Sequence, residues 1–353
     1  MEKKNSALTY AEIYGQADSF AAINASMPAI WETLDKVFAE KYDELIFTGC
    51  GTSLYLAQTA AHIFSEFNDV PARAVCCSEL YFFPRVYVKP GRRVLILPIT
   101  RKSYTTEVRM AIDKVRALPE VKTLAITCDA DSRLYNDAFV LSPETAEDSV
   151  IMTRSFTSMV YLACVLSLHA AGRKADLDSL ADYPDHARRL LKATDDLART
   201  IVAEHPELNL YITLGQGEYY GVANECMNKM KEMGIANSEA YYSLEYRHGP
   251  MSLVDDKTLL VTLAHPDTLK EDAALLSQMN SYGGVTVAIG EGVTAAMPDA
   301  AYHLELGCGY DAARSAALIG LIGQFLGYYI AEKKGIDADS PRHLTQAIVL
   351  NDK

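Results

Sequence analysis

Several signatures are missing from this chain, and each absence removes a class of function. No run of about 18 apolar residues occurs, so no membrane span is expected; the closest stretch, 312–335, carries Arg314, Gln324, several glycines and flanking charges and reads as a buried helix. The first residues, MEKKNSALTYAEIYGQ, hold no apolar core of the kind a secretory signal needs. The seven cysteines (50, 76, 77, 128, 164, 226 and 308) include no C-x-x-C pair, and an odd count with adjacent Cys76 and Cys77 suits free thiols in a reducing cytoplasm. The eight histidines form neither H-x-x-x-H nor H-E-x-x-H, so no metal site is expected. There is no G-x-G-x-x-G, which speaks against a nicotinamide cofactor, and no cofactor is expected. Positive charge is scarce: 33 Lys and Arg against 46 Asp and Glu leave a net charge of -13, and neither end holds a basic helix-turn-helix. Nucleic acid and anionic membrane are therefore poor partners. An anionic small molecule is not excluded, because a local pocket can oppose the overall field.

What remains is a soluble-type composition, 49% hydrophobic and 22% charged, over 353 residues, enough for two domains or a duplicated one. Residues 9–40 have helical character. DELIFTGCGTSLYLAQTAAHIFSEF then reads strand, Gly turn, helix. The apolar runs ARAVCCSEL, RRVLILPIT and VKTLAITCD follow, separated by helical stretches, and SFTSMVYLACVLSLHAAGRK forms a long apolar helix. Apolar runs alternating with helices imply a parallel sheet covered on both faces. A polar helical linker (172–200) leads to a second start of the same pattern, LNLYITLGQGEYYGVANECMNKMKE, so GCGTS (49–53) is matched by GQGEY (215–219). The expected fold is α/β, two doubly wound parallel sheets in tandem. The expected segments are an N-terminal helical segment (1–40), a first domain with its linker (41–195), and a second domain with a C-terminal tail (196–353). Ligands in such sheets sit at the carboxyl ends of the strands, where both Gly turns and the loop after LILPIT lie.

Four segments carry polar groups at those ends. GCGTS sets Thr52, Ser53 and backbone N–H groups at a helix start, which suits an anion but equally an ordinary capped turn. TRKSYTTEV (100–108) gathers Thr100, Arg101, Lys102, Ser103, Thr105 and Thr106 at a strand-to-helix junction; these suit a phosphate, and Thr105 or Thr106 with Glu107 also suits an N-cap. SVIMTRSFTS (149–158) precedes the long apolar helix and taken alone is compatible with a plain helix start. ECMNKMKEMGIANSEAYYSLEYRHGP (225–250) puts Glu225, Lys229 and Glu232 at i, i+4 and i+7, one helix face, with Glu245, Arg247 and His248 before a Gly-Pro break. Two carboxylates, an amine and an imidazole suit proton transfer on a polar substrate; a solvated helix face and a loop histidine are the bland alternative.

Taken in order, GCGTS, SEL, a Ser/Thr loop, V-x-x-T-R-x-F-T, LGxGxxYxxAxE, KxKE, SEAY, ExRHGP and DxDxPRxL resemble the sugar isomerase (SIS) domain family over roughly residues 10–350. The resemblance implies two flavodoxin-like SIS subdomains. It is closer to the isomerase half of glucosamine-6-phosphate synthase and to its free-standing deaminase, isomerase and deglycase relatives. No glutamine-hydrolysing domain precedes the matched part, so glutamine-driven synthesis is not expected. By the resemblance, Glu232 is the base moving a proton between C1 and C2, His248 assists ring opening and is supplied by the neighbouring subunit of a homodimer, and Glu225 and Lys229 support the base. Ser53, Thr100, Lys102, Ser103 and Thr105 fall on phosphate-cradling positions beside Thr52, and Val150 and Thr153 border the sugar.

The sequence departs from the family pattern at two places. The usual loop S-x-S-G-x-T is T-R-K-S-Y-T here, so Lys102 either bonds the phosphate or obstructs it, and Ser103 replaces a glycine. The family tail P-R-x-L-x-K is PRHLTQ, with Gln346 where a Schiff-base lysine is common. Cys50 is expected to be a core residue rather than a nucleophile. The expected activity is a cytoplasmic deaminase or isomerase of an amino-sugar 6-phosphate, such as glucosamine 6-phosphate to fructose 6-phosphate and ammonia. The alternatives are a fructosamine-6-phosphate deglycase, a plain aldose–ketose isomerase, and a non-catalytic sugar-phosphate-binding protein.

Overall fold

The computed structural model describes residues 6–350; the outermost residues of the expected N-terminal segment and tail, and Lys353, lie outside it. The chain divides into two compact units, each assembled from separate stretches. The first comprises Gly15–Asp148, Arg154–Pro184 and 345–350; the second comprises 6–14, Ser149–Thr153 and Asp185–Leu344.

The first unit is built on five strands, β1 (Glu44–Gly49), β2 (Ala72–Cys76), β3 (Val94–Thr100), β4 (Val121–Thr127) and β5 (Ala138–Leu141). They lie in the order β2-β1-β3-β4-β5, all parallel. Every residue of β1 and β3 is buried, which explains their unbroken apolar runs: helices cover both faces, so neither face needs a polar alternation. The expected long apolar helix spans Arg154–Ala170 and is buried almost throughout, packing on the helices Gln16–Phe38 and Thr52–Phe67.

The second unit repeats the plan with β6 (Leu210–Gly215), β7 (Asn237–Tyr242), β8 (Thr258–Leu263), β9 (Val285–Gly290) and β10 (Tyr302–Glu305). Their order, β7-β6-β8-β9-β10, is the same topology, again all parallel. The two expected tandem parallel sheets are thus present. The repeat extends to steric detail. A Cβ on Gly49 would fall 2.6 Å from the Ser53 backbone, and one on Gly215 would fall 2.4 Å from the Tyr219 carbonyl. In both sheets the first helix turn folds back over the strand end, and only glycine leaves room.

Two sequence expectations change in detail. The stretch 312–335 is two helices, Ala312–Ile319 and Leu321–Lys334, parted at Gly320. Glycine is a weak helix former, and here the Gly320 carbonyl also accepts the Cys226 thiol at 3.6 Å. The tail pattern DxDxPRxL does structural duty, since the Asp339 carboxylate accepts the N–H groups of Leu8 (3.1 Å) and Thr9 (2.7 Å), capping the helix Ala7–Tyr14. Among the described residues, no helix is long and apolar enough to cross a membrane.

Candidate active site

The carboxyl end of β6 turns through Gly217 into the helix Tyr219–Gly234, which carries Glu225, Lys229 and Glu232 on one face. Lys229 Nζ lies 3.2 Å from Glu225 Oε1 and also donates to Glu232 Oε2. The Lys229 and Glu225 side chains are 1% and 3% exposed, whereas Glu232 is 22% exposed. Asn228 Nδ2 donates to the other Glu232 oxygen at 3.0 Å. Burial alone would lower the Lys229 pKa, but the two carboxylates more than reverse this and hold it above the ordinary lysine value. The amine is therefore a fixed cation, unsuited to act as a nucleophile. Glu232 is held from two sides with part of its surface open, an arrangement that suits a base acting on a carbon acid. The helix ends one turn later at Ile235, an exposed β-branched residue in the left-handed region (φ 46°), an uncommon conformation for such a side chain.

The packing comes from behind. The helix Leu321–Lys334 lies directly against the base helix: a Cβ on Gly323 would sit 2.4 Å from the Cys226 Cα, and one on Gly327 would sit 2.7 Å from the Lys229 carbonyl. Gln324 on the same helix donates to the Thr153 carbonyl at 3.2 Å, fixing one of the expected sugar-bordering residues; Val150 is half-buried in that short segment.

His248 follows the turn Glu245–Arg247 and precedes Gly249, whose φ is 124°. Arg247 is anchored by its Nε bond to Gln278 (2.9 Å). The His248 imidazole is exposed and makes no side-chain hydrogen bond among the described residues. The structure thus assembles Glu225, Lys229 and Glu232 into one group and places His248 on a separate loop of the same unit.

In the first unit, Thr52 and Ser53 open the helix Thr52–Phe67, after Gly51 at φ 55°. Ser53 is 6% exposed, and its hydroxyl has no hydrogen bond among the described residues. The loop 100–106 is more engaged than its composition suggests. The Thr100 hydroxyl donates to the Lys102 carbonyl (2.7 Å), the Ser103 N–H to Asp129 Oδ2 (2.9 Å), and the Ser103 hydroxyl pairs with Ser132 (2.6 Å). Thr105 Oγ1 is only 3.5 Å from the same Lys102 carbonyl, a weak contact. Lys102 is half-buried with no ion pair among the described residues. Lys102, Ser53 and Thr105 are accordingly the expected phosphate groups left open to an anion, while Thr100 and Ser103 shape the loop. Ser103 adopts no left-handed backbone; among the described non-glycine residues only Ile235 and His343 do.

Three arrangements went unnoticed in the sequence. Arg101 turns inward to a buried pair with Glu147, 3.1 Å away. Gln346 donates its amide to the Asp148 carbonyl at 2.6 Å. At the second sheet's own switch point, Glu218 and His265 form a pair at 3.3 Å, with Glu218 fully buried. The pattern of GQGEY against GCGTS was the available signal: a glutamate stands where the first turn has Thr52. Cys50 is half-buried, and a hydrogen bond with Cys77, then burial, push its thiol pKa up. That protonated thiol is not an activated nucleophile.

Residues 39–168 and 209–319 match the SIS domain. The chain belongs to the SIS family. A glutamine–fructose-6-phosphate aminotransferase (isomerizing) from Caldanaerobacter subterraneus subsp. tengcongensis is 26% identical over 88% of this chain and 52% of its own length. The chain spans about half the length of the curated relatives it matches. Among solved SIS structures, a glucosamine-6-phosphate deaminase from Thermotoga maritima is 27% identical, covers 98% of this chain and 100% of its own, and superposes with a TM-score of 0.80. A tagatose-6-phosphate ketose/aldose isomerase from Escherichia coli, at 23% identity, shares the fold with a TM-score of 0.83 over 100% of this chain and 98% of its own. By their names, the aminotransferase and the deaminase are enzymes of sugar phosphates.

Proposed function

We propose that this SIS protein deaminates and isomerises an amino-sugar 6-phosphate, glucosamine 6-phosphate being the first candidate. The observation that carries the reading is the Glu225–Lys229–Glu232 group: a part-exposed carboxylate, held by a buried ammonium that is itself balanced by a buried carboxylate. Such a base removes the proton beside an open-chain carbonyl or imine and returns it to the neighbouring carbon. In an aldose-type 2-amino sugar, transfer from C2 to C1 makes a ketose imine; water then adds at C2 and ammonia leaves. Lys102, Ser53 and Thr105 receive the phosphate. His248, exposed and unengaged, moves the ring-opening proton, in a homodimer where that loop serves the neighbouring subunit. The similarity to a glucosamine-6-phosphate deaminase supports this choice of substrate.

A second reading is a fructosamine-6-phosphate deglycase, and Gln346 bears on both readings. Its amide is engaged with Asp148 and offers no amine for a Schiff base, so C–N cleavage would rest on proton transfer alone. Ammonia release from glucosamine 6-phosphate and galactosamine 6-phosphate, run beside amine release from fructoselysine 6-phosphate, separates the two. In either case Glu232→Gln is expected to lower turnover at least about 100-fold while a phosphosugar still raises the melting temperature. Unchanged turnover would remove Glu232 from the role of base.

A further inference from the structure

Arg101 is 4% exposed. A guanidinium that deep must have its charge balanced. Its Nη1 donates to Glu147 Oε2 at 3.1 Å, and its Nη2 donates to the Gln346 carbonyl, also at 3.1 Å. Glu147 uses its second oxygen to accept the Ser155 N–H at 2.7 Å, in the first turn of the helix Arg154–Ala170. One planar fork thus joins the phosphate loop, the segment before that helix, and the C-terminal segment.

The C-terminal segment is fastened at two further points. The Gln346 amide donates to the Asp148 carbonyl at 2.6 Å. Past it, the Ile348 carbonyl accepts the Thr106 N–H at 3.0 Å, and the Leu350 N–H donates to Thr106 Oγ1 at 2.9 Å. Thr106 is the first residue of the helix Thr106–Arg116. Its N–H belongs to the unsatisfied set at a helix start, the set that otherwise serves anions. Residues 346–350 are therefore fastened to both ends of the loop 101–106.

Resting on the assignment of that loop as the phosphate site, we infer that Arg101 and Gln346 form a positioning latch. Arg101 holds the C-terminal segment on the loop, and the segment in turn sets the loop's shape for the phosphate. Gln346 then has a mechanical role at a position where a lysine would have a chemical one. Arg101 touches no substrate; it acts through the backbone it fixes.

Arg101→Lys separates the latch from general stability, since it keeps a cation for Glu147 and loses the second arm of the fork. The expected result is a KM for the phosphosugar raised about ten-fold, the scale of one lost charged hydrogen bond, with kcat within about three-fold. Tryptic cleavage after Arg342 should also accelerate by about ten-fold or more, as the segment detaches more often. Gln346→Ala, which removes the bond to Asp148 and leaves the Arg101 guanidinium in place, should move both readouts in the same direction by less, and it replaces Arg101→Lys if that variant does not fold. An unchanged KM in either folded variant overturns the latch, whether or not cleavage accelerates. If no phosphosugar is turned over, the functional assignment fails separately. The dissociation constant for inorganic phosphate then stands in for KM, with a rise supporting the latch and no change overturning it.

Discussion

Lys229 is the residue whose removal should be felt most in the base helix. Its ammonium is buried between a buried Glu225, 3.2 Å away, and a part-exposed Glu232. In Lys229→Met, Glu232 has solvent to turn to. Glu225, 3% exposed, does not, and is left as an uncompensated buried carboxylate. Removing one partner of a buried pair costs about 3–5 kcal/mol, whereas replacing the whole pair by neutral groups of similar size is often neutral. The cost should therefore be largely recovered in Glu225→Gln/Lys229→Met, to within about 2 kcal/mol of the wild type. The assay has to read the right unit. The single tryptophan, Trp31, lies in the first unit and reports the wrong one. Native-state hydrogen exchange of peptides covering 219–242 reports locally, and the single variant should lose about two to three and a half decades of protection there. A loss below about 1 kcal/mol, or a double variant showing the sum of the two single losses, would refute the argument that Glu225 depends on this ammonium.

Two further outcomes follow from the second unit. Gly323→Ala places a methyl 2.4 Å from the Cys226 Cα; it should cost about 1–3 kcal/mol or more and lower kcat by displacing Glu232, and an unchanged melting temperature and kcat would deny the close helix contact. Alkaline titration should be asymmetric. Burial first, then hydrogen bonds to Asp195, raise the Tyr14 and Tyr329 pKa values, and Lys229 is raised by its carboxylates. The folded state thus keeps protons that the unfolded chain releases near pH 10. These groups contribute their full stability below about pH 10 and lose it as pH rises further. Melting temperatures that stay level from pH 9 to about 11.5 would contradict those shifts.

Much of this was legible in the sequence, for physical reasons that are local. The central strands of both sheets are buried on both faces, so they appear as plain apolar runs, and the Gly turns mark where a helix crosses a strand end. Glu225, Lys229 and Glu232 needed only helical spacing. What was hidden depends on distant partners. Which donors of the loop 100–106 remain open is decided by Asp129 and Ser132 from another strand's loop. Arg101, grouped with its neighbours as a phosphate-facing cation, is turned inward by Glu147. The tail motif was visible as a pattern, but its bond to residues 8 and 9 joins the two ends of the sequence. The break at Gly320 was hidden within a stretch that reads as one continuous apolar helix.

The assembly of each unit from separate stretches has a consequence for synthesis on the ribosome. The helix Ala7–Tyr14 emerges early, yet its capping carboxylate, Asp339, is made 330 residues after Thr9. The first sheet is likewise complete long before residues 345–350 of its own unit exist. Neither unit reaches its full set of bonds until residues 339–350 have been made. Until then the nascent protein must carry an uncapped helix and an unlatched loop, the interval in which exposed apolar surface invites aggregation.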